Sequence, residues 1–194
     1  MQAVGQVLRS GRTLRVMGFD DAPFAADAAQ VDVAGVVCAG TRFEGMVWGQ
    51  ATRDGLDATA AITRLFTTSK FAAQVHLLLL DGLAVGGFNL VDLPALAAAT
   101  GRPCAAVLRR PPDFPAVHRA LQIFPDVDQR VGLIERAGAV HEAPPFFFQV
   151  AGEEPAVIAA ALARLTDRGH VPEALRLAHL IGSAVRLGES GRRA

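Results

Sequence analysis

The chain has 194 residues, which is enough for one substantial core and crowded for two domains. Half of it is hydrophobic (51 %), and 19 basic residues balance 19 acidic ones, so the zero formal charge argues against binding nucleic acid through a globally basic surface. No apolar run approaches the roughly 18 residues of a membrane span, and the opening MQAVGQVLRSGR lacks the apolar core of a secretory signal, so a cytoplasmic protein without membrane contact is expected.

In chain order, the first apolar run, residues 14–20, reads as a strand that ends on Asp20 and Asp21. Runs 31–40 (VDVAGVVCAG) and 42–50 (RFEGMVWGQ), joined by a short glycine-containing turn, read as an antiparallel hairpin. A helix then opens in DGLDATAAITRLFTTSK. Asp57 or Thr59 suits its N-cap, and Ala61, Ile62, Leu65 and Phe66 keep helical spacing. A strand at 75–80 ends on Asp81 and leads into the glycine-rich stretch GLAVGGFN. A helix follows at 92–100, with Asp92 at its start and Gly101 at its end. Strand 104–108 runs into Arg109-Arg110-Pro111-Pro112. Residues 115–137 read as helical with a break near Pro125, 146–150 (FFFQV) as a strand, and 154–167 and 172–187 as helices. Cys38 and Cys104 lie in apolar strand-like runs without CxxC spacing and read as buried, reduced core residues.

A meander followed by strand–helix alternation implies an α/β protein with a mixed sheet flanked by helices. The arrangement that fits is three antiparallel strands followed by parallel strands, all within one domain over residues 1–194. This is the layout of ribonuclease H-like folds. In it the first and fourth strands are neighbours, about 4.8 Å apart. The carboxylates that end them, Asp20 (or Asp21) and Asp81, then face one crevice. Carboxylates at the end of a buried strand are costly unless a cation or a donor compensates them, and a pair of them suits a hard divalent metal. Asp57 offers a third carboxylate, with Asp54 as substitute, although a cap role accounts for it equally. The glycines of GLAVGGFN match neither a dinucleotide fingerprint nor a Walker loop, and Asn89 is a polar contact on that stretch. Arg109 and Arg110 stand where an arginine would meet phosphate. His179, among Leu177, Leu180 and Ile181, reads first as a structural histidine.

The segments GFDDAPF, DGLDAT, LLLDGLAVGGFNLVD, VLRRPPD and PEALRLAHLIGSAVRLGES, in this order, resemble an uncharacterised family, domain of unknown function 99, that is distantly related to endonuclease V. The resemblance runs from about residue 12 to the C-terminus. It implies a ribonuclease H-like fold and a Mg²⁺- or Mn²⁺-dependent endonuclease or phosphodiesterase. Asp20 or Asp21, Asp81 and Asp57 (or Asp54) would hold the metal, Arg109 or Arg110 would stand at the position of a strand-end lysine, and Arg176 and His179 fall in the PE-x-x-R segment. Gly152-Glu153 stand where endonuclease V has Gly-His, and a chain without tyrosine lacks its Pro-Tyr wedge. The expected function is therefore a metal-dependent nuclease acting on nucleic acid or a nucleotide. The alternative is a non-catalytic nucleic-acid or nucleotide-binding module that kept the fold.

Overall fold

In the computed structural model, residues 3–191 are described. The short helix α1 (Val4–Arg9) precedes a meander of β1 (Arg15–Asp21), β2 (Gln30–Ala39) and β3 (Arg42–Thr52). Helix α2 (Ala58–Thr67), strand β4 (Leu77–Asp81), a small hairpin of β5 (Ala84–Val85) and β6 (Asn89–Leu90), and helix α3 (Leu93–Thr100) follow. The chain continues through β7 (Cys104–Leu108), α4 (Phe114–Leu121), α5 (Val127–Arg136), β8 (His141–Ala143) and β9 (Phe146–Ala151) to α6 (Pro155–Arg164) and α7 (Glu173–Leu187). Seven strands form one sheet in the order β3-β2-β1-β4-β7-β9-β8.

β1, β2 and β3 pair antiparallel, and β4 joins β1 in parallel. β7 is parallel to β4, whereas β9 runs antiparallel to β7, so the parallel part is confined to β1, β4 and β7. The expectation of parallel strands after the meander holds for β4 and β7 and fails at β9, because β9 turns straight back from β8 as a hairpin and starts beside Leu108, at the end where β7 stops. The elements not anticipated, α1, β8 and the β5–β6 hairpin, are too short to carry a periodic signal.

Strand residues alternate between two helical layers. Val16, Leu77, Leu79, Ala105 and Val107 pack towards α1, α6 and α7. Met17, Phe19, Leu78, Leu80 and Ala106 pack towards α2 and α3. A smaller apolar cluster, centred on Leu90, Leu121, Leu133 and Ile134, ties α4 and α5 to the β5–β6 hairpin. Both cysteines are free and buried in these cores. No helix among the described residues is long and apolar enough to cross a membrane.

Helix α7 reaches the sheet because its contact surface is small. A Cβ on Gly18 of β1 would lie 2.8 Å from the Ala174 carbonyl carbon. One on Gly182 would lie 3.1 Å from the Ala22 Cα. The missing side chains let the helix axis settle against β1, which fixes the height of every α7 residue over the strand end.

Candidate active site

The period of two along a strand separates Asp20 from Asp21. Gly18 faces α7, so Asp20 does too, and Asp21 faces the opposite layer. The Asp21 carboxylate accepts a hydrogen bond from the Gly86 N–H at 2.8 Å, which ties β1 to the glycine turn of the β5–β6 hairpin. Parallel pairing puts Phe19 beside Leu80, and one residue further on it brings Asp20 beside Asp81. Asp20 is 6 % exposed, and its Oδ2 lies 3.1 Å from Nδ1 of His179 on α7. Asp20, Asp81 and His179 each offer one ligand atom, and these atoms lie within 4.8 Å of one another. On the outer side, the Arg109 guanidinium donates to Asp81 Oδ2 at 2.9 Å from the end of β7. The four residues line an open cleft of about 480 Å³, with Pro23 and Phe24 on its wall.

The electrostatics of the cleft fit a cation. Burial, then the charges of Asp81 and Asp21, push the Asp20 carboxyl up to about 8. Burial also raises Asp21, against the opposing Gly86 hydrogen bond. Three carboxylates crowd the ends of β1 and β4, and among the described residues the arginine bonded to them is Arg109, on the rim. Two carboxylate oxygens and an imidazole nitrogen form a donor set that Mn²⁺ accepts readily and that Mg²⁺ accepts through its oxygens.

Asp57 stands outside this cluster. Its Oδ1 accepts from Asn89 Nδ2 at 2.6 Å and from the Thr52 N–H at 3.1 Å, and its Oδ2 accepts from the Thr52 hydroxyl at 2.9 Å. Burial raises its pKa, but these donors outweigh that and hold the carboxyl below the ordinary range. It occupies the N-cap position of α2 without a side-chain cap bond. The cap bond to Ala58 N–H comes instead from Asn89 Oδ1, 2.9 Å away. Asn89 is fully buried, so it joins hairpin, loop and helix and does not face the cleft.

Asp54 is likewise engaged: its Oδ1 accepts from the Phe88 N–H at 2.8 Å, with the backbone at φ 52. The buried Arg130 of α5 fastens the same loop. It donates to the carbonyls of Asp54 (2.7 Å) and Phe88 (2.6 Å), pairs with Asp126 at 2.7 Å, and stacks 4.2 Å from the centre of the Phe124 ring. Arg110 is exposed and lines a neighbouring surface hollow with Pro111 and Pro112.

The described geometry agrees with known proteins. Residues 12–186 match the sequence pattern of the family described as endonuclease dU. The chain belongs to the endonuclease dU family. A UPF0215 protein of Methanosarcina barkeri is 36 % identical over 181 residues, covering 91 % of this chain and 93 % of the relative. A protein of unknown function from Archaeoglobus fulgidus, solved by crystallography, shares 32 % identity, with a TM-score of 0.84 over 89 % of this chain and 98 % of that one. The Ciona intestinalis endonuclease V, solved with a 24mer DNA containing an inosine followed by a ribo-adenosine, shares the fold at 14 % identity and a TM-score of 0.52, with 90 % of each chain covered.

Within this endonuclease dU family member, Asp20, Asp81, Arg109 and His179 converge, whereas Asp57, Asp54, Asn89 and Arg110 do not join them. Glu153, the residue at the Gly-His position of endonuclease V, lies at the other end of the sheet, since Ala151 pairs with Cys104 at the start of β7. The histidine beside the carboxylates is His179. Its sequence signal was its place three residues after Arg176, whose bidentate pair with Glu173 (2.6 and 2.8 Å) braces the first turn of α7. Arg130 carried only the signal of its i,i+4 spacing from Asp126, which reads as an ordinary helix-surface pair, because its other partners are backbone carbonyls 75 and 42 residues away.

Proposed function

We propose that this chain is a divalent-metal-dependent endonuclease that cuts DNA at deoxyuridine, with Asp20, Asp81 and His179 holding a Mg²⁺ or Mn²⁺ ion. The convergence of those three ligand atoms within 4.8 Å, at the carboxyl ends of two parallel strands, carries the reading. The family's description names the substrate class. The fold-sharing Ciona enzyme was solved on DNA with inosine, which, like deoxyuridine, is a deaminated nucleoside.

A bound ion would supply Lewis-acid polarisation of the phosphate and a water activated for attack. The chain's own groups do the rest. Asp20 and Asp81 provide the negative charge that anchors a cation. His179 is presented by α7, whose close contact with β1 at Gly18 fixes its distance from Asp20. Arg109, half-exposed on the rim, can leave Asp81 for a phosphate oxygen, which its fork of donors matches. An open cleft admits a backbone without demanding a basic surface elsewhere.

The test is cleavage of an oligonucleotide bearing one deoxyuridine, with Mn²⁺ or Mg²⁺ and with chelator. Cutting that disappears with EDTA, and falls by about 10³-fold or more in Asp20→Asn and Asp81→Asn, supports the reading. DNA binding that is indifferent to chelator and never followed by cleavage would replace it with a non-catalytic binding module.

A further inference from the structure

A second cavity, of about 190 Å³, lies beside the cleft and has the opposite character. Leu108 lines both, and Leu83, two residues beyond Asp81, opens onto the second one. Its wall is apolar and includes Phe88 and Phe114, together with Val117 of α4 and Ile134 of α5. One side chain on it carries a polar group. Gln149 of β9 is 2 % exposed and stands on the α5 side of the sheet, opposite Ala106.

The orientation of that amide is fixed. Its nitrogen donates to the Gly138 carbonyl at 2.8 Å, and a carbonyl can only accept, so the nitrogen faces Gly138. Among the described residues no donor reaches the oxygen, Oε1. No buried side-chain oxygen or nitrogen among the described residues is left unpartnered, so Oε1 must reach open space, and the cavity is the space that Gln149 lines. An apolar cavity with one fixed acceptor on its wall favours a ligand with one aimed N–H or O–H donor, since a ligand without one would leave Oε1 unpaired. A cavity of roughly 150 Å³ already admits a benzene ring, so a single six-membered ring fits in size.

We propose that this cavity receives a uracil base turned out of the DNA stack, with its N3–H donating to Gln149 Oε1. The inference rests on the nuclease reading for the identity of the polymer, and it adds the residue that reads the base. Enzymes that act at a particular base commonly extrude it into a pocket beside the reacting groups, and faces such as those of Phe88 and Phe114 stack on bases of any sequence. Selectivity then comes from Gln149. Cytosine in the same pose presents a lone pair at N3 and is repelled by Oε1, whereas thymine carries the same N3–H and is not separated by this atom. The acceptor stays an acceptor because Gly138 prevents the amide from turning over.

The experiment measures binding without metal, by fluorescence anisotropy in EDTA. It uses single-stranded oligonucleotides that differ at one position: deoxyuridine, deoxycytidine or N3-methyldeoxyuridine. The expected result is an affinity for deoxyuridine about tenfold higher than for the other two, in line with one buried hydrogen bond made or lost. Gln149→Met should remove that preference. Val117→Phe, which fills the slot from a half-buried position on α4 and leaves the Gly138 bond intact, should remove it as well, so the test survives if Gln149→Met does not fold. Equal affinity of the unaltered protein for deoxyuridine and N3-methyldeoxyuridine overturns the pocket even if Mn²⁺-dependent cleavage is found. Selective deoxyuridine binding without cleavage in any metal overturns the nuclease reading and leaves the pocket standing.

Discussion

On the proposed reading, Arg109 would act against metal binding and for catalysis. Its 2.9 Å pair with Asp81 satisfies a carboxylate that an ion would otherwise take. The arginine side chain is 46 % exposed, so the pair itself adds little stability. Arg109→Gln should therefore bind Mn²⁺ a few-fold more tightly in calorimetry, yet cut about 10²-fold more slowly, because a phosphate loses its charged donor. A parallel loss of metal affinity and rate would mean that Arg109 only orders Asp81. Asn89 tests the opposite assignment. Asn89→Ala leaves the Asp57 carboxylate short of a donor and the Ala58 N–H without its cap, which should cost about 1–3 kcal/mol in chemical denaturation. Mn²⁺ affinity should not change, since neither residue reaches the Asp20–Asp81–His179 cluster. A large drop in Mn²⁺ binding in that variant would bring Asp57 back as a ligand.

Between elements, the decisive contact is α7 against β1. Asp20 lies two residues beyond Gly18 on the strand, and His179 lies about one and a half turns beyond Ala174 on the helix, so the Gly18–Ala174 approach sets their separation. Gly18→Ala places a methyl where 2.8 Å separates it from backbone, which has no flexible end to move aside. The helix must shift, at a cost of about 1–3 kcal/mol. Mn²⁺ binding should weaken together with stability, because one of the three ligands rides on the displaced helix. A variant that loses stability but binds Mn²⁺ normally would show that His179 is no ligand. The β5–β6 hairpin is held by a different set of contacts. Gly86 bonds Asp21, Asp54 bonds Gly86 and Phe88, and Arg130 bonds the carbonyls of that loop, so the strand end is braced from the helical layer opposite α7.

At the scale of the molecule, the concentrated carboxylates leave a signature in stability. The Asp20 carboxyl sits at about 8 when folded, against 3.8 unfolded, so the folded metal-free protein keeps a proton that the unfolded chain releases. That contribution is complete below about pH 4 and is lost as the pH rises through 8. In EDTA, thermal stability should therefore fall from pH 6 to pH 8 more steeply than in Asp20→Asn. That variant should be the more stable one at pH 8, by on the order of 2 kcal/mol. Saturating Mn²⁺ should reverse the order, and identical pH profiles of the two proteins in EDTA would refute the account. Much of this architecture is written in local sequence. The apolar runs fixed the strands, the spacing of Ala61, Ile62, Leu65 and Phe66 fixed α2, and Asp92 and Gly101 bounded α3 as their cap chemistry requires. The order of strands and helices, with an aspartate at the end of the first and fourth strands, was enough to put Asp20 beside Asp81. The sequence could not decide between Asp20 and Asp21, or between a ligand role and a structural one for Asp57, Asn89 and His179. Each depends on which face a side chain takes and on what lies across from it, and the deciding partners are distant: Asn89 is 32 residues from Asp57, and Asp20 is 159 from His179. Local propensity acts over a few residues, whereas a binding site is made where distant segments pack, so only the tertiary structure brought His179 to Asp20 and spent Asp57 on Asn89.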